Sequence, residues 1–294
     1  MSLQPADTSQ AVAAAIRDVS HIATLPEITL KIVELVEDQS STAQDLHKVI
    51  SHDPALCSRI LKVVNSSFYG MPGQVGSINR AIVLLGLNAV KNIAISASLA
   101  KLFKGGQLCP GFAARDLWMH SIATAAAAKL LADEIGLSMS DEAFLAGLIH
   151  DIGVMVELQH DRNKLIEVVN SLGASKDGVP GADMLEAEQR TFGATHQDFG
   201  RALCEKWKFP KSFINVAGSH HAPMGLPAEG RTLCCLVYAA DRLAASADVA
   251  YRLDLPDLEF DPDVLSAVSI SIEQVEQVRQ SLPAHVEEVQ ALLN

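Results

Sequence analysis

The run Phe144-Leu145-Ala146-Gly147-Leu148-Ile149-His150-Asp151-Ile152-Gly153 is an apolar helical stretch that ends on an adjacent histidine and aspartate. A polar side chain in such surroundings costs free energy unless it has a partner. Imidazole and carboxylate are both good ligands for a borderline or hard metal ion. As neighbours at a helix end they diverge, yet both can lean on one bound ion or on two close ones. Taken alone, the dipeptide reads first as a pair capping a helix terminus, because a two-residue motif is a weak signal. The residues around it change that reading.

The second half of the chain carries further imidazoles and carboxylates in, or at the ends of, apolar helical runs. With the first pair they are Asp116, His120, His150, Asp151, His196, His220, His221 and Asp241. Asp116 and His120 stand four residues apart, so both project from one helical face. Asp241 sits in the apolar helix Tyr238-Ala239-Ala240-Asp241-Arg242, where it must be paired or protonated. Each residue has a plain structural explanation. His120 could bond a carbonyl, and His196, after Thr195, could belong to a helix cap. His220 and His221 could lie at a helix C-terminus, where the dipole favours cations. Asp116 could pair with Arg115, and Asp241 with Arg242. It is the coincidence of eight such residues that points to a metal centre. The donor set, without thiolate, suits Fe or Mn, with Zn also compatible, as one or two ions. His21, His47, His52, His160 and His285 stand in polar surroundings and are expected to be solvated.

The rest of the sequence reads as helices. Glu27–Val36 has apolar residues at 28, 32, 35 and 36. Thr42 with Asp45 resembles a capping box, Asp53-Pro54 opens a helix, and Ser77 caps one that Gly86 ends. Further helices are expected over 9–21, 87–103, 112–135, 141–150, 161–172, 184–192, 195–207, 210–221 and 232–247. Two more, 271–282 and 283–293, are separated at Pro283. No period-2 alternation is seen, so no strand is expected and the class is all-α. Hydrophobic residues make up 49% of the 294, aromatics only 5%, which favours packed helices over a sandwich or barrel.

The net charge of -12 gives no general footing on nucleic acid or an anionic membrane. Neither is expected as a partner. Five cysteines without a Cys-x-x-Cys pair suit a reduced, cytoplasmic setting. Met1–Val19 has no basic segment leading into an apolar one, so no signal peptide is expected. No membrane span is expected either, since no apolar run reaches about 18 residues.

The order His120, His150-Asp151, Asp241 resembles the HD superfamily. His196, His220 and His221 resemble the added ligands of its HD-GYP branch, whose sites hold two or three metals, and Asp116 lies where some of that branch carry an acidic ligand. The first half is similar to the HDOD family through Leu25-Pro26, Asp53-Pro54-Ala55-Leu56, Arg59-Ile60-Leu61, Asn65-Ser66-Ser67-Phe68-Tyr69, Ser77-Ile78, Ala81-Ile82 and Leu85-Gly86-Leu87. The resemblance implies an HD-superfamily helical bundle with an N-terminal helical subdomain. Its expected divisions are an extension over 1–20, the N-terminal subdomain over 21–106, the HD-like metal-binding subdomain over 107–250 and C-terminal helices over 251–294. It also implies a bacterial signalling module that acts on a partner protein. The alternative is a metal-dependent phosphohydrolase taking a nucleotide or another phosphate-containing small molecule. Val154 stands where the catalytic branch has a lysine, and Ala222-Pro223-Met224-Gly225-Leu226-Pro227 where it has the Gly-Tyr-Pro loop. A missing lysine removes a stabiliser of phosphate charge. Arg80, Arg201 and Arg242 are the cations that could stand in.

Overall fold

The computed structural model of the chain describes residues 5–19, 27–38, 40–103, 106–175, 178–247 and 251–293. Leu25, Pro26 and His21 lie outside them. The first helices are α1 (Pro5–Asp18), α2 (Glu27–Glu37), α3 (Ala43–Ile50), α4 (Pro54–Val64), α5 (Ile78–Leu85) and α6 (Leu87–Leu99). Their starts follow the local chemistry. Thr42 and Asp45 form a reciprocal capping box at α3. The Asp53 carboxylate accepts from the Leu56 N–H at 2.9 Å, with Pro54 opening α4. The Asn65 side chain accepts from Val75 N–H at 2.6 Å and donates to Val75 O at 2.9 Å, which ties down the loop between α4 and α5. Helix α6 is buried from Ala89 to Leu99 and is the axis of this half, packed against α2, α4 and α5.

A short antiparallel hairpin follows, β1 (Gln107–Cys109) and β2 (Phe112–Ala113), turning at Gly111 with φ +89°. No strand was expected here. Strands of two and three residues are too short to show alternation, and the positive φ that only glycine adopts readily is what closes the turn.

The second half contains α7 (Ala114–Glu134), α8 (Ser140–Ile149), α9 (Ile152–His160), α10 (Arg162–Ser171), α11 (Met184–Phe192), α12 (His196–Lys206), α13 (Lys211–Ser219) and α14 (Ala228–Ser246). Helix α7 packs on α8, α14 and the C-terminal helix. Its run Ala125–Ala128 is fully buried, and Gly147 of α8 meets it so closely that a Cβ there would lie 2.8 Å from Ala125 Cα. Helix α9 escapes a reading by periodicity because Ile152 to Glu157 is buried on every side.

The chain ends with α15 (Pro262–Ala267) and α16 (Ile272–Leu293). The two helices expected on either side of Pro283 are one. An unbroken buried stripe, Val275, Val278, Leu282, Val286 and Val289, runs through the proline and packs α16 on α7. Burying those five side chains, at about 1.5 kcal/mol or more each, outweighs the roughly 3 kcal/mol cost of an internal proline. Glu288 of α16 also accepts from Ser67 Oγ at 2.6 Å and Phe68 N–H at 2.9 Å. One hydrophobic core therefore runs from Ala15 to Val289. Among the described residues no helix is long and apolar enough to cross a membrane.

Candidate metal centre

Seven of the eight expected residues meet in the middle of the second half. His120 comes from the second turn of α7, and His150 and Asp151 from the α8–α9 junction. His196 is the first residue of α12, behind a capping box of Thr195 and Asp198. His220 and His221 leave the end of α13, and Asp241 faces inward from α14. The glycine of the opening motif has a physical task here. A Cβ on Gly153 would stand 1.8 Å from the carbonyl oxygen of His196, so only a glycine lets α12 bring His196 against Asp151.

The seven form two groups of donors, all buried except the partly buried His221. His120, His150 and Asp241 make one, and Asp151, His196, His220 and His221 the other. His120 Nε2 lies 2.9 Å from Asp241 Oδ1, and His150 Nε2 lies 3.7 Å from the same atom. Asp151 stands between the groups. Its Oδ2 is 3.4 Å from His150 Nε2, and its Oδ1 is 3.2 Å from His220 Nε2 and 3.7 Å from His196 Nε2. Asp241 is not paired with Arg242. The Arg242 guanidinium lies over the Tyr238 ring and donates to Glu259 O.

The outward nitrogens are fixed. His150 Nδ1–H donates to Gly147 O at 2.7 Å, His220 Nδ1–H to Val216 O at 3.0 Å, and His196 Nδ1–H to the Glu188 carboxylate at 2.9 Å. A carbonyl or carboxylate can only accept, so each ring turns Nε2 and its lone pair inward when neutral. This is the outer support expected behind a ligating histidine. The inward atoms have no hydrogen-bond partner: His150 Nε2, His220 Nε2, both Asp151 oxygens and Asp241 Oδ2. Buried polar atoms rarely stay unpaired. Converging nitrogens and oxygens within 4.8 Å of one another, as these groups place them, are the arrangement a divalent ion would satisfy.

The charges are consistent with that fit. Burial pushes the His150 imidazole down, but Asp151 and Asp241 outweigh it and carry it up to about 9. Burial also opposes the His196 charge, and Glu188 overrides it, to about 10. Burial raises Asp151, yet His150, His220 and His196 hold it well below the carboxylate range. Burial, with the charges of His220 and His196, drives His221 well below the usual imidazole value. Protons therefore do part of the neutralising that a cation would do.

Asp116 does not join these groups. It is half-buried one turn before His120 and lines a cleft of about 780 Å³ with Gln107, Tyr251 and Arg252. The Tyr251 ring, packed 5.5 Å from the His120 ring, stands at the same cleft. The four-residue spacing put Asp116 and His120 on one helix face but could not see that segment fold back. Three acids absent from the sequence reading lie at or behind the centre. Asp254 forms a third group with His221 and Asp241. Glu188 holds His196, and Glu157 is fully buried beside it, its carboxyl driven well up by burial and by Glu188. Glu188 shares its buried helix face with Met184, Ala187 and Phe192. An acid on an apolar stripe was the available signal. Of the cations suggested for phosphate, Arg80 is exposed, and Arg201 donates to Gly218 O and Ser219 Oγ.

The HDOD domain model matches residues 22–223. The chain belongs to the HDOD family. An HDOD protein of unknown function from Geobacter sulfurreducens superposes with a TM-score of 0.75, covering 97% of each chain at 22% identity. A Shewanella amazonensis protein, provisionally named a phosphohydrolase, superposes with a TM-score of 0.72 at 22% identity, covering 96% of this chain and 98% of its own. These likenesses establish a shared helical fold. An uncharacterized protein of Treponema pallidum is 27% identical over 232 residues, 78% of this chain. The HDOD chain spans 44% of that relative's length.

Proposed function

We propose that this HDOD protein is a bacterial, cytoplasmic signalling module. Its His/Asp cluster would hold two divalent ions, iron or manganese, as a closed and non-catalytic centre, and it would act by binding a partner protein. The observation that carries this reading is the closure of the cluster. The side chains of His120, His150, Asp151, His196, His220 and Asp241 are 0% exposed and His221 is 9% exposed. A substrate phosphate needs room and a cation beside it. Val154, in the place of the catalytic lysine, is buried in apolar surroundings, and the suggested arginines are exposed or bonded to main chain. When bound, the ions would supply positive charge to Asp151 and Asp241, and His120, His150, His196, His220 and His221 would present Nε2 to them.

The test is elemental analysis of the purified protein, followed by incubation with Mn(II) or Fe(II) and a panel of nucleotides and phosphoesters. About two equivalents of metal and no product are expected. Turnover by the native chain that Asp151→Ala lacks would replace this reading with a metal-dependent phosphohydrolase. Absence of metal would leave a helical adaptor.

A further inference from the structure

Resting on the reading of the cluster as a metal centre, we propose that Asp254 is itself a ligand. With His221 and Asp241 it would help hold one of the two ions, and so fasten the segment after α14 onto the bundle. Asp254 lies in Tyr251-Arg252-Leu253-Asp254-Leu255. Tyr251, Leu253 and Leu255 are buried, so the segment is pressed against the bundle as a strap. Asp254 is 5% exposed, and neither carboxylate oxygen has a hydrogen-bond partner. Its Oδ2 lies 3.5 Å from His221 Nε2, and one of its oxygens lies within 4.8 Å of a donor atom of His221 and one of Asp241.

A carboxylate in this position, beside Asp241 and without a donor, is costly by itself. A cation between Asp254, Asp241 and His221 removes the cost and accounts for the residue. His221 then has a use that His150 and His220 do not. It is the ligand that faces the strap, and the same Nε2 that lies 3.5 Å from Asp254 Oδ2 lies 3.1 Å from His196 Nε2. The ion would link the C-terminal segment to α13 and α14. It would also set the wall of the 780 Å³ cleft to which Tyr251 and Arg252 belong.

The experiment compares the full chain with Asp254→Asn and Asp254→Glu after loading with Mn(II), reading metal per protein and the unfolding midpoint with and without metal. The Asn variant is expected to hold about one equivalent less, or to bind about tenfold or more weakly. Without metal it is expected to unfold no earlier than the native chain, because an amide is cheaper to bury than an unpaired carboxylate. With metal it is expected to gain less. A full complement of metal at native affinity in the Asn variant would overturn the proposal while leaving the centre intact. So would an Asn variant that unfolds early or fails to fold without metal, since that outcome marks a packing role. The Glu variant gives a second reading after loading with Co(II). A shifted ligand-field spectrum is expected, and an unchanged one counts against Asp254 as a ligand. A native chain that binds no metal fails differently, since it removes the centre itself.

Discussion

The two halves of this bundle bury polar groups in opposite ways. In the first half they close on one another. Asn65 is bonded to both polar groups of Val75 and to Leu61 O. Lys91, 2% exposed and lowered by burial, donates to Ser41 Oγ at 2.7 Å and to Leu35 O. Thr29 Oγ1 and Ser96 Oγ are left unpartnered there, and neither residue belongs to a group of metal-type donors. In the second half one set of unpartnered atoms converges instead. Asp151, Asp241, Asp254, His150 and His220 all turn such atoms toward one interior. The contrast separates polarity that specifies a fold from polarity arranged for a ligand. A satisfied network has nothing to bind, whereas a converging unsatisfied one stays costly until a cation enters.

Removing the space at Gly153 tests the second half most severely. Gly153→Ala puts a carbon into the His196 carbonyl, and backbone on backbone cannot yield by a rotamer change. A loss of about 3 kcal/mol in denaturant unfolding is expected, together with weaker metal binding as His196 moves away from Asp151. Native stability with native metal content would mean that α9 and α12 slide apart freely, and the close approach would carry no weight.

The next effect is a pH dependence confined to the second half. His150 and His196, held up to about 9 and about 10, keep their protons more tightly folded than in the unfolded chain, where the ordinary value is about 6.5. Their contribution is fully present below about 6.5 and is lost as pH rises through those two values. The unfolding midpoint of the metal-free chain is therefore expected to fall by several degrees between about pH 6.5 and 10. Metal affinity should rise over the same window, because each ion must displace those protons. A midpoint flat across the window would show that the cluster holds no extra protons.

The smallest effect belongs to the first half. Asn65→Ala leaves the Val75 N–H and O without their partner. A cost of about 1–2 kcal/mol is expected with metal content unchanged. Loss of metal in that variant would show that the two halves are not separable in this way.

Legibility followed the same division. Caps at Thr42, Asp53, Ser77 and Thr195 were readable because they act within a few residues. Seven donors were readable because a carboxylate or imidazole in an apolar helix is conspicuous by itself. Asp254 and Glu188 were passed over because their neighbours looked ordinary: one lies in a segment between helices, the other on a short helix rich in charge. The single helix through Pro283 was hidden too, since only packing against α7 offsets the lost hydrogen bond.

The amino-acid order alone determined the all-helical class, most helix limits, the family likeness and which residues were chemically out of place. Local rules suffice for these, as each depends on residues within a turn or two. Tertiary structure alone decided that Asp116 lies apart from the cluster and Asp254 beside it, and that the cluster is closed. Those outcomes depend on how a strap more than a hundred residues from His120 folds back, and no spacing along the chain encodes that approach.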